Sequence, residues 1–384
     1  MSTVRARGRG ALPEPHNACG VSDGNVYLHC DVDKMFFSVE ALEAPGLAED
    51  ARAVIVGLDP REYPRAVVTT ANAVARGMGI NSGMSCAIAQ RLARERGIEV
   101  VYVRPRHDLY VQYSRRLMDL LRQETELLEQ RSIDEAALDW RDHGFLIEPV
   151  TALRARILSE IGLSVSFGVA ETLLVAKMAS EAAKARDDHV CVIPPGAAAA
   201  FLAPLTVRAL VGVGPKTEAR LRGFEVLTIG DLAQRDLGWL VDQFGASYGR
   251  YLFSASRGED DSTLVGEHAS KSISAEHTFA RDTVDRAEIW LRLQSQAREV
   301  ATRLRSERLV AGEVAIKLRY GVTWETITRQ QRLGAATDDA AVLAAGAAAL
   351  MRKAWTRRPI RLIGLRAARL EPSPDGAVQL ALPS

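Results

Sequence analysis

The stretch DVDKMFFSVE, residues 31–40, begins with Asp31 at the end of a segment whose alternating, β-rich pattern predicts a strand. A second acidic stretch, SIDEAALDW at 132–140, places Asp134 and Glu135 next to another strand-like run. Clustered carboxylates repel one another and lose solvation, and a divalent cation offsets both costs. Hard oxygen ligands of this kind suit Mg²⁺. The two stretches therefore predict a magnesium site at the ends of two strands.

Two metal ions held by such carboxylates stabilise the attacking and leaving oxygens of phosphoryl transfer. The short motif Asp31-Val32-Asp33 leaves other interpretations open, because acidic residues in a loop are often simply solvated. A phosphatase that forms an aspartyl-phosphate also begins with a strand and this motif. Such an enzyme needs a partner lysine and a downstream acidic pair in another order.

Composition excludes several classes of protein. The 384 residues are 47% hydrophobic, which is enough for the packed cores of several domains. No run of 18 apolar residues and no apolar signal-peptide segment occurs, so we expect no membrane span, no export and a cytoplasmic location. The cysteines form no C-x-x-C pair, which argues against a zinc site or a disulfide scaffold. They are Cys19, Cys30, Cys86 and Cys191.

Hydrophobic periodicity predicts two mixed α/β regions joined by a region of short helices. The first has strands at 26–32, 53–58, 66–70 and 163–169 and helices at 85–96, 108–130, 150–161 and 172–185. Short helices joined by glycine turns follow from residue 195. The last region has helices at 284–307 and 339–355 and strands at 314–320, 326–333 and 360–370. Its layout predicts a separate α+β domain.

Five ordered blocks resemble the Y-family DNA polymerases, the lesion-bypass class, and are most similar to its bacterial DNA polymerase IV-like branch. The blocks are DVDKMFFSVE, SIDEAALDW, FGVAETLLVAKMASEAAK, VGVGPKTEARL and KSISAEHTF, in order over 26–370. The resemblance implies an α+β multidomain fold. This is a right-hand polymerase with a ferredoxin-like palm, small fingers, a helical thumb with a helix-hairpin-helix and an α+β little-finger domain. It implies template-directed, low-fidelity addition of dNMP to a primer 3′ end.

The resemblance also implies domain boundaries. The palm covers 26–37 and 104–195, the fingers 38–103, the thumb 196–258 and the little finger 270–370. A flexible leader covers 1–25, an acidic linker 259–269 and a tail 371–384.

The family's metal ligands fall on Asp31, Asp134 and Glu135, with the backbone carbonyl of Val32 as a further ligand, and the resemblance implies two Mg²⁺ ions per active site. Asp33 lies beside these ligands, and a structural hydrogen-bonding role is an equally good interpretation. A non-catalytic, DNA-binding paralogue of the same fold is the alternative to an active polymerase, and the retained carboxylates argue against it.

Four residues match the family's nucleotide pocket. Phe36 matches the steric gate, a ring that collides with a ribose 2′-hydroxyl; without the family it reads as a core residue. Arg76 and Lys184 match the cations that bind the triphosphate, and Thr70 adds a hydroxyl. The pattern departs at Ala73, where the family usually carries a tyrosine. Lys34 and the loop 59–65 also depart from the pattern.

Two regions are candidates for binding primer-template DNA. Gly212, Gly214 and Lys216 lie in a predicted hairpin whose N–H groups approach a phosphate without reading sequence. The near-zero net charge of +1 hides an asymmetry, because 270–384 carry a net +7 and the remaining residues a net −6. The candidates in this basic region are Lys271, Lys317, Arg319, Arg329 and Arg332. A solvated strand face is the alternative for each.

The C-terminal peptide Gln379, Leu380, Ala381, Leu382 resembles the peptide with which bacterial polymerases bind the sliding clamp. An unstructured end is the other interpretation. The predicted partners are primer-template DNA, dNTP and the clamp, with no membrane, and the family implies a monomer.

Overall fold

The computed structural model describes residues 24–47, 49, 51–266 and 270–373. These form two compact units, one of residues 1–58 and 67–268 and the other of residues 59–66 and 269–384, as far as they are described. No helix within the described ranges is long and apolar enough to cross a membrane. The predicted leader, the end of the linker and most of the tail lie outside the described residues.

The first unit is built around a five-stranded sheet in the order β5-β6-β1-β7-β8. Its strands are β1 (Tyr27–Val32), β5 (Leu128–Gln130), β6 (Glu135–Asp139), β7 (Val165–Ala170) and β8 (Val190–Val192). Strands β1 and β7 are buried along their whole length, because helices cover both faces of the sheet centre. The long helices are α4 (His107–Leu121), α5 (Ile147–Ile161) and α6 (Leu173–Ala183). Helix α1 (Met35–Glu43) follows β1 directly.

A small second sheet in the same unit has the order β3-β2-β4. Its strands are β2 (Ala53–Val56), β3 (Thr70–Ala71) and β4 (Val100–Val103), and its helices are α2 (Ala73–Gly77) and α3 (Cys86–Glu95). Short helices complete the unit: α7 (Ala198–Leu202), α8 (Pro215–Arg222), α9 (Ile229–Ala233), α10 (Leu237–Phe244) and α11 (Ala246–Ala255). They share an apolar core with α6, which ties the helical region to the sheet.

The second unit is a four-stranded antiparallel sheet in the order β11-β10-β12-β9 with two helices on one face. The strands are β9 (Ser272–Thr283), β10 (Leu309–Tyr320), β11 (Thr326–Thr337) and β12 (Ile360–Pro372). The helices are α12 (Arg286–Ser306) and α13 (Ala340–Ala354), each N-capped by an aspartate. The predicted α+β domain is confirmed at this level.

Two expectations about elements were wrong. The predicted helix over 108–130 ends at Leu121, and residues 128–130 form β5, because their backbone pairs with β6. The predicted strand over 66–70 is reduced to Thr70–Ala71, preceded by one isolated bridge at Val67.

Two segments of the predicted fingers and linker pack as follows. The loop 59–66, assigned above to the fingers, groups with the second unit. The expected linker is packed rather than free as far as Gly266: Leu264 is buried and the N–H of Leu174 donates to Asp260 Oδ2 at 3.0 Å.

Candidate active site

The two acidic stretches meet on adjacent strands. Asp31 on β1 lies directly opposite Glu135 on β6 in the antiparallel register. The N–H of Val32 donates to the carbonyl oxygen of Asp134 at 3.0 Å, which ties the end of β1 to the start of β6. Opposite residues of such a pair project to the same face of the sheet. The structure therefore brings all three predicted carboxylates to one end of the central strands.

Ser132 organises the turn that presents the acidic pair. Its Oγ accepts hydrogen bonds from the N–H groups of Asp134 at 3.1 Å and Glu135 at 3.0 Å, and it donates to the carboxylate of Asp134. A hydroxyl that bonds the backbone two and three residues ahead is a common turn-forming device. The serine thus fixes the backbone from which both carboxylates extend.

Two lysines of α6 face the carboxylates. Lys184 Nζ lies 3.0 Å from Asp31 Oδ1, and Lys177 Nζ donates to Glu135 Oε2 at 2.5 Å. The helix approaches the sheet closely because β7 presents Gly168 to it, and a Cβ at that position would lie 2.1 Å from the carbonyl oxygen of Ala176. The glycine allows the ammonium groups to reach the carboxylates.

Burial and the neighbouring lysine are the largest influences on the ionisation of Asp31. Burial, aided by the charges of Glu135 and Asp134, raises the pKa of Asp31 to about 6, although Lys184 acts in the opposite direction. Burial lowers the pKa of Lys184, but its bonds to Glu181 and Asp31 outweigh burial and raise that pKa overall. The carboxylates therefore require positive charge, which the lysines supply in part.

Asp33 belongs to a different set of contacts. Its carboxylate accepts from Ser164 Oγ at 2.8 Å and Ser166 Oγ at 2.9 Å, and His189 Nδ1 lies 3.0 Å away. The structural hydrogen-bonding interpretation of Asp33 agrees with this geometry. Lys34, which follows it, is exposed and adopts a left-handed backbone conformation with φ 49°.

The chemistry of the carboxylate set fits a divalent cation. The oxygens are hard donors, and burial raises the pKa of Asp31, so a nearby cation stabilises its charged form. Within the described ranges, however, no group of three or more Asp, Glu, His or Cys side chains is arranged closely enough to bind a metal ion as it stands. Asp31 is ion-paired with Lys184, and Glu135 with Lys177.

Phe36 lies one turn beyond the carboxylates on α1. Its ring stacks on Tyr110 of α4 with the centroids 4.4 Å apart. Tyr110 in turn donates to the buried Glu40 at 2.6 Å, and Arg106 forms a bidentate pair with the same carboxylate at 3.1 and 2.5 Å. The half-buried ring of Phe36 is thus held by a network that joins α1 to α4.

The other predicted nucleotide residues form a separate pair. Arg76 Nη2 donates to Thr70 Oγ1 at 3.2 Å, and its Nε donates to the carbonyl oxygen of Ala71 at 3.1 Å. Ala73 begins α2, which is capped by Asn72. Among the described residues, no hydrogen bond or ion pair joins Arg76 to Asp31, so the structure brings Lys184 to the carboxylates but not Arg76.

A cavity of about 790 Å³ adjoins Glu135 and Lys177. Its wall includes His29, which lies two residues before Asp31 and therefore on the same face of β1. The hydroxyl of Ser180 donates its hydrogen to the carbonyl oxygen of Lys177. The same hydroxyl therefore accepts a hydrogen bond from His29 Nδ1, at 2.8 Å. With its hydrogen on Nδ1, the His29 ring has a buried Nε2 that is an acceptor without a partner. Burial, with Lys177 nearby, lowers the pKa of His29 to about 3, so its ring is neutral near pH 7.

The predicted hairpin precedes α8. Gly212 has φ +82°, and a Cβ there would lie 3.2 Å from the ring of Tyr251. Tyr251 and Tyr248 donate to the carbonyl oxygens of Val211 and Gly212 at 2.5 and 2.8 Å. Gly214 caps α8 and Lys216 is exposed in its first turn. The hairpin is therefore rigidly held, with the N-terminus of α8 beside it.

The β10–β11 register divides the predicted basic residues between two faces of the second sheet. Lys317 lies opposite Thr328 and Arg319 opposite Thr326, on the face away from α12 and α13, called the outer face here. Arg332 shares this face. Arg329 lies opposite the core residue Ile316 and so projects on the helix side.

The remaining candidates divide between described and undescribed residues. Lys271 is exposed just before β9. Lys317 is also paired with Glu276 at 2.8 Å. Gln379, Leu380 and Leu382 lie outside the described residues.

Several site residues were missed by sequence reasoning. The spacing of seven residues places Lys177 and Lys184 on one helical face, but sequence reasoning assigned a role only to Lys184. Arg366 lies on the outer face and donates to Gln330 at 3.3 Å, in register with the predicted residues. Tyr110, Arg106 and Glu40 lie far apart in sequence, and only the packing of α1 on α4 reveals their connection.

Family models match most of the chain. The model of the impB/mucB/samB family matches residues 30–181, and that of its C-terminal domain matches 270–382. A model described as the DNA polymerase-iota thumb domain matches 208–260. The matched segments together contain the carboxylates, the hairpin and the second sheet.

Curated relatives are similar over nearly the whole chain. DNA polymerase IV of Streptomyces coelicolor is 36% identical over 344 residues, which cover 88% of this chain and 69% of the relative. DNA polymerase IV of Methanoculleus marisnigri is 37% identical over 350 residues, or 90% of this chain and 94% of the relative. That of Halorhodospira halophila is 37% identical over 350 residues, or 90% and 95%.

Solved structures share the fold. A Y-family DNA polymerase chimera matches with a TM-score of 0.78 at 22% identity, over 91% of this chain and 100% of the other. The insertion ternary complex of Dbh DNA polymerase matches with a TM-score of 0.63 at 22% identity, again over 91% and 100%. The predicted α+β polymerase fold is confirmed. From its sequence relatives, its carboxylate-bearing strands and its fold, this chain belongs to the Y-family of DNA polymerases, within the DNA polymerase IV group.

Proposed function

We propose that this lesion-bypass DNA polymerase transfers nucleotides with Asp31, Asp134 and Glu135 as its essential carboxylates. The observation that supports the assignment is the register that sets Asp31 opposite Glu135, with Lys184 and Lys177 against them. Asp31 is buried, and burial raises its pKa to about 6, which does not happen to an acid on a solvated loop. The lysines mark where positive charge is stabilised.

Primer extension tests this assignment. We expect wild type to extend a primer with dNTPs and Mg²⁺, and the double variant Asp134→Ala, Glu135→Ala to lose extension while its DNA affinity stays near that of wild type. Asp139→Ala is the matched control, since Asp139 ends the same strand and pairs only with Arg141 among described residues. Equal extension by wild type and the double variant contradicts the assignment, and inactivity of wild type favours the non-catalytic paralogue.

We propose two Mg²⁺ ions as the metals, held by the three carboxylates and the carbonyl oxygen of Val32. When bound, such ions stabilise charge on the attacking and leaving oxygens. In this chain Ser132 fixes the acidic turn, and Lys184 and Lys177 hold the carboxylates beforehand. The number of Mn²⁺ ions bound to wild type and to Asp31→Asn, counted by electron paramagnetic resonance, tests the ligand set.

The incoming dNTP is proposed to contact Phe36, Thr70, Arg76 and Lys184. Arg76 carries a planar fork suited to phosphate, and its existing donor bond to Thr70 orients it. Ala73 lacks the tyrosine hydroxyl that the family usually carries at this position. A hydrogen bond from such a hydroxyl to a charged phosphate contributes roughly 1.5–3 kcal/mol. We expect Ala73→Tyr to lower the KM for dNTP. An unchanged KM means that another group already makes this contact.

Primer-template DNA is proposed to contact the hairpin at Gly212, Gly214 and Lys216. The N-terminus of α8 lies beside these glycines and favours a phosphate. This contact does not read base sequence, so Lys216→Ala is expected to weaken binding equally for all template sequences.

The second sheet supplies further proposed DNA contacts: Lys271, Lys317, Arg319, Arg329 and Arg332. The register favours the three residues on the outer face, Lys317, Arg319 and Arg332. Lys317→Ala and Arg319→Ala are each expected to reduce the slope of log affinity for DNA against log salt concentration by about one. Arg329→Ala, on the helix side, is the internal comparison. A flat salt dependence in wild type contradicts the DNA surface.

We also propose that Gln379, Leu380 and Leu382 bind the sliding clamp, that the chain acts as a monomer, and that it works in the cytoplasm. Deletion of 378–384 is expected to abolish stimulation by the clamp and to leave synthesis without the clamp intact. Stimulation that survives the deletion contradicts the clamp contact. Sedimentation at micromolar concentration tests the monomer.

A further inference from the structure

The helix layer of the second unit contains a groove that the polymerase reaction does not use. The first two turns of α12 and the last turns of α13 enclose about 520 Å³, within the range of about 300–1,000 Å³ typical of ligand sites. Its walls include the apolar side chains of Trp290, Met351 and Trp355. Trp290 is 39% exposed, which is unusual for a residue that could be buried in the adjacent core.

Three arginines surround this apolar floor: Arg286, Arg352 and Arg357. Across the described part of the chain, no carboxylate lies within ion-pair distance of any of them. Other arginines of the same unit are paired, for example Arg358 with Glu325 at 2.7 Å and Arg305 with Asp338 at 3.4 Å. The groove therefore combines exposed aromatic surface with uncompensated positive charge.

The lining side chains supply hydrogen-bond donors but no acceptors. Its polar side chains are the three arginines and two tryptophans, and Trp355 Nε1 is already used by the carbonyl oxygen of Arg358 at 2.9 Å. A carboxylate carries only acceptors and leaves no donor of its own unpaired against this lining, whereas nucleic-acid bases carry N–H donors beside their acceptors. Carboxylates satisfy arginines bidentately, and an apolar side chain fills the floor.

The groove also lies on the opposite side of the sheet from the outer face. Helices α12 and α13 pack against one face through Val314 and Ile316, whereas Lys317 and Arg319 project from the other. A ligand in the groove leaves the outer face accessible to DNA.

We propose that this groove is a docking site for an acidic peptide segment of another protein that carries one or two large apolar side chains. The carboxylates bind Arg286, Arg352 and Arg357, and the apolar side chain packs between Trp290 and Trp355. The flexible, unbranched side chain of Met351 can pack against apolar side chains of different shape. Charge complementarity selects an acidic partner, since the rim holds only positive charge.

Fluorescence anisotropy with the full chain tests the site. The probe is a labelled synthetic peptide with a run of aspartates followed by two phenylalanines, and its controls replace either the aspartates by asparagines or the phenylalanines by alanines. We expect binding of the probe in low salt and roughly tenfold or greater weakening with either control peptide.

Variants of the chain locate the binding. Arg286→Glu with Arg352→Glu, and separately Trp290→Ala, are expected to weaken the probe by roughly tenfold or more. Arg298→Glu, an exposed change further along α12, is expected to leave affinity unchanged. Primer extension stays at the wild-type level in all variants.

Three results overturn the proposal: no binding of the probe, equal affinity in wild type and the groove variants, or equal weakening by Arg298→Glu. A labelled oligothymidine is the second probe. If the groove variants weaken the oligothymidine as much as the peptide, the groove binds single-stranded DNA and the peptide assignment is wrong.

Discussion

Gly168→Ala tests whether the close approach of α6 to the sheet positions the site. The added Cβ would lie 2.1 Å from the carbonyl oxygen of Ala176 and 2.3 Å from the N–H nitrogen of Ser180, whereas real contacts of a Cβ are essentially never below 3.0 Å. Both clashing atoms are backbone, so no rotamer change relieves them. The helix must withdraw by roughly 0.9 Å, and overpacking of this kind typically costs about 1–3 kcal/mol of stability.

The same withdrawal moves the lysines of α6. Lys184 is 3.0 Å from Asp31 and Lys177 is 2.5 Å from Glu135, so a shift of this size weakens both ion pairs. Misplacement of about 1 Å in an active site can reduce the rate by roughly a hundredfold. We therefore expect a large fall in kcat/KM for single-nucleotide insertion beside the loss of stability.

Urea unfolding and single-nucleotide insertion measure the two effects in one preparation. Gly46→Ala is the matched control, because a Cβ at Gly46 meets nothing within 4 Å. The reasoning is refuted if Gly168→Ala unfolds within about 0.5 kcal/mol of wild type and inserts nucleotides at the wild-type rate.

Three further changes probe the site. Arg106→Leu leaves the carboxylate of Glu40, which is 2% exposed, without its ion pair. Because Arg106 is itself half exposed, we expect the free energy of unfolding in urea to fall by about 2 kcal/mol. Adding Glu40→Gln should recover part of this loss. No loss argues that the network is not structural. Burial raises the pKa of Asp31 from 3.8 to about 6, so this group's contribution to stability is complete below pH 3.8 and is lost as the pH rises through 6. Asp31→Asn should therefore raise the free energy of unfolding at pH 7.5, with a chelator present, by up to about 3 kcal/mol. If the variant differs from wild type by the same free energy at pH 5 and at pH 7.5, this reasoning is wrong. Phe36→Ala is expected to raise the ratio of ribonucleotide to deoxyribonucleotide kcat/KM, with Phe37→Ala as the control, and an unchanged ratio removes Phe36 as the gate.

Local pattern was sufficient to predict the strands that carry the carboxylates. The run 26–32 forms a strand from Tyr27 to Val32, and the strand-like stretch 132–140 forms one over its second part, Glu135–Asp139, because β-rich, buried segments leave few alternatives. The long helices of the second unit were similarly evident. The family resemblance added the roles of the site residues, which spacing alone left open between a metal site and solvated acids.

What sequence could not provide is pairing between distant segments. Strand β5 was hidden inside a helical pattern, since its three residues become a strand only through pairing with β6. The contact of Tyr110 with Phe36 depends on helix packing across more than 70 residues of sequence. Arg329 and Lys317 looked equivalent until the β10–β11 register placed them on opposite faces.

The ion pairs of Lys184 and Lys177 have a consequence for the protein at rest. Many small metal-binding domains, zinc fingers among them, unfold when their metal is removed. Here the countercharge is part of the chain, so folding does not wait for a metal and a chelator should stop synthesis without unfolding the enzyme. The two ammonium groups thus do for the resting enzyme what a metal does elsewhere: they neutralise carboxylates that would otherwise be left charged without a partner.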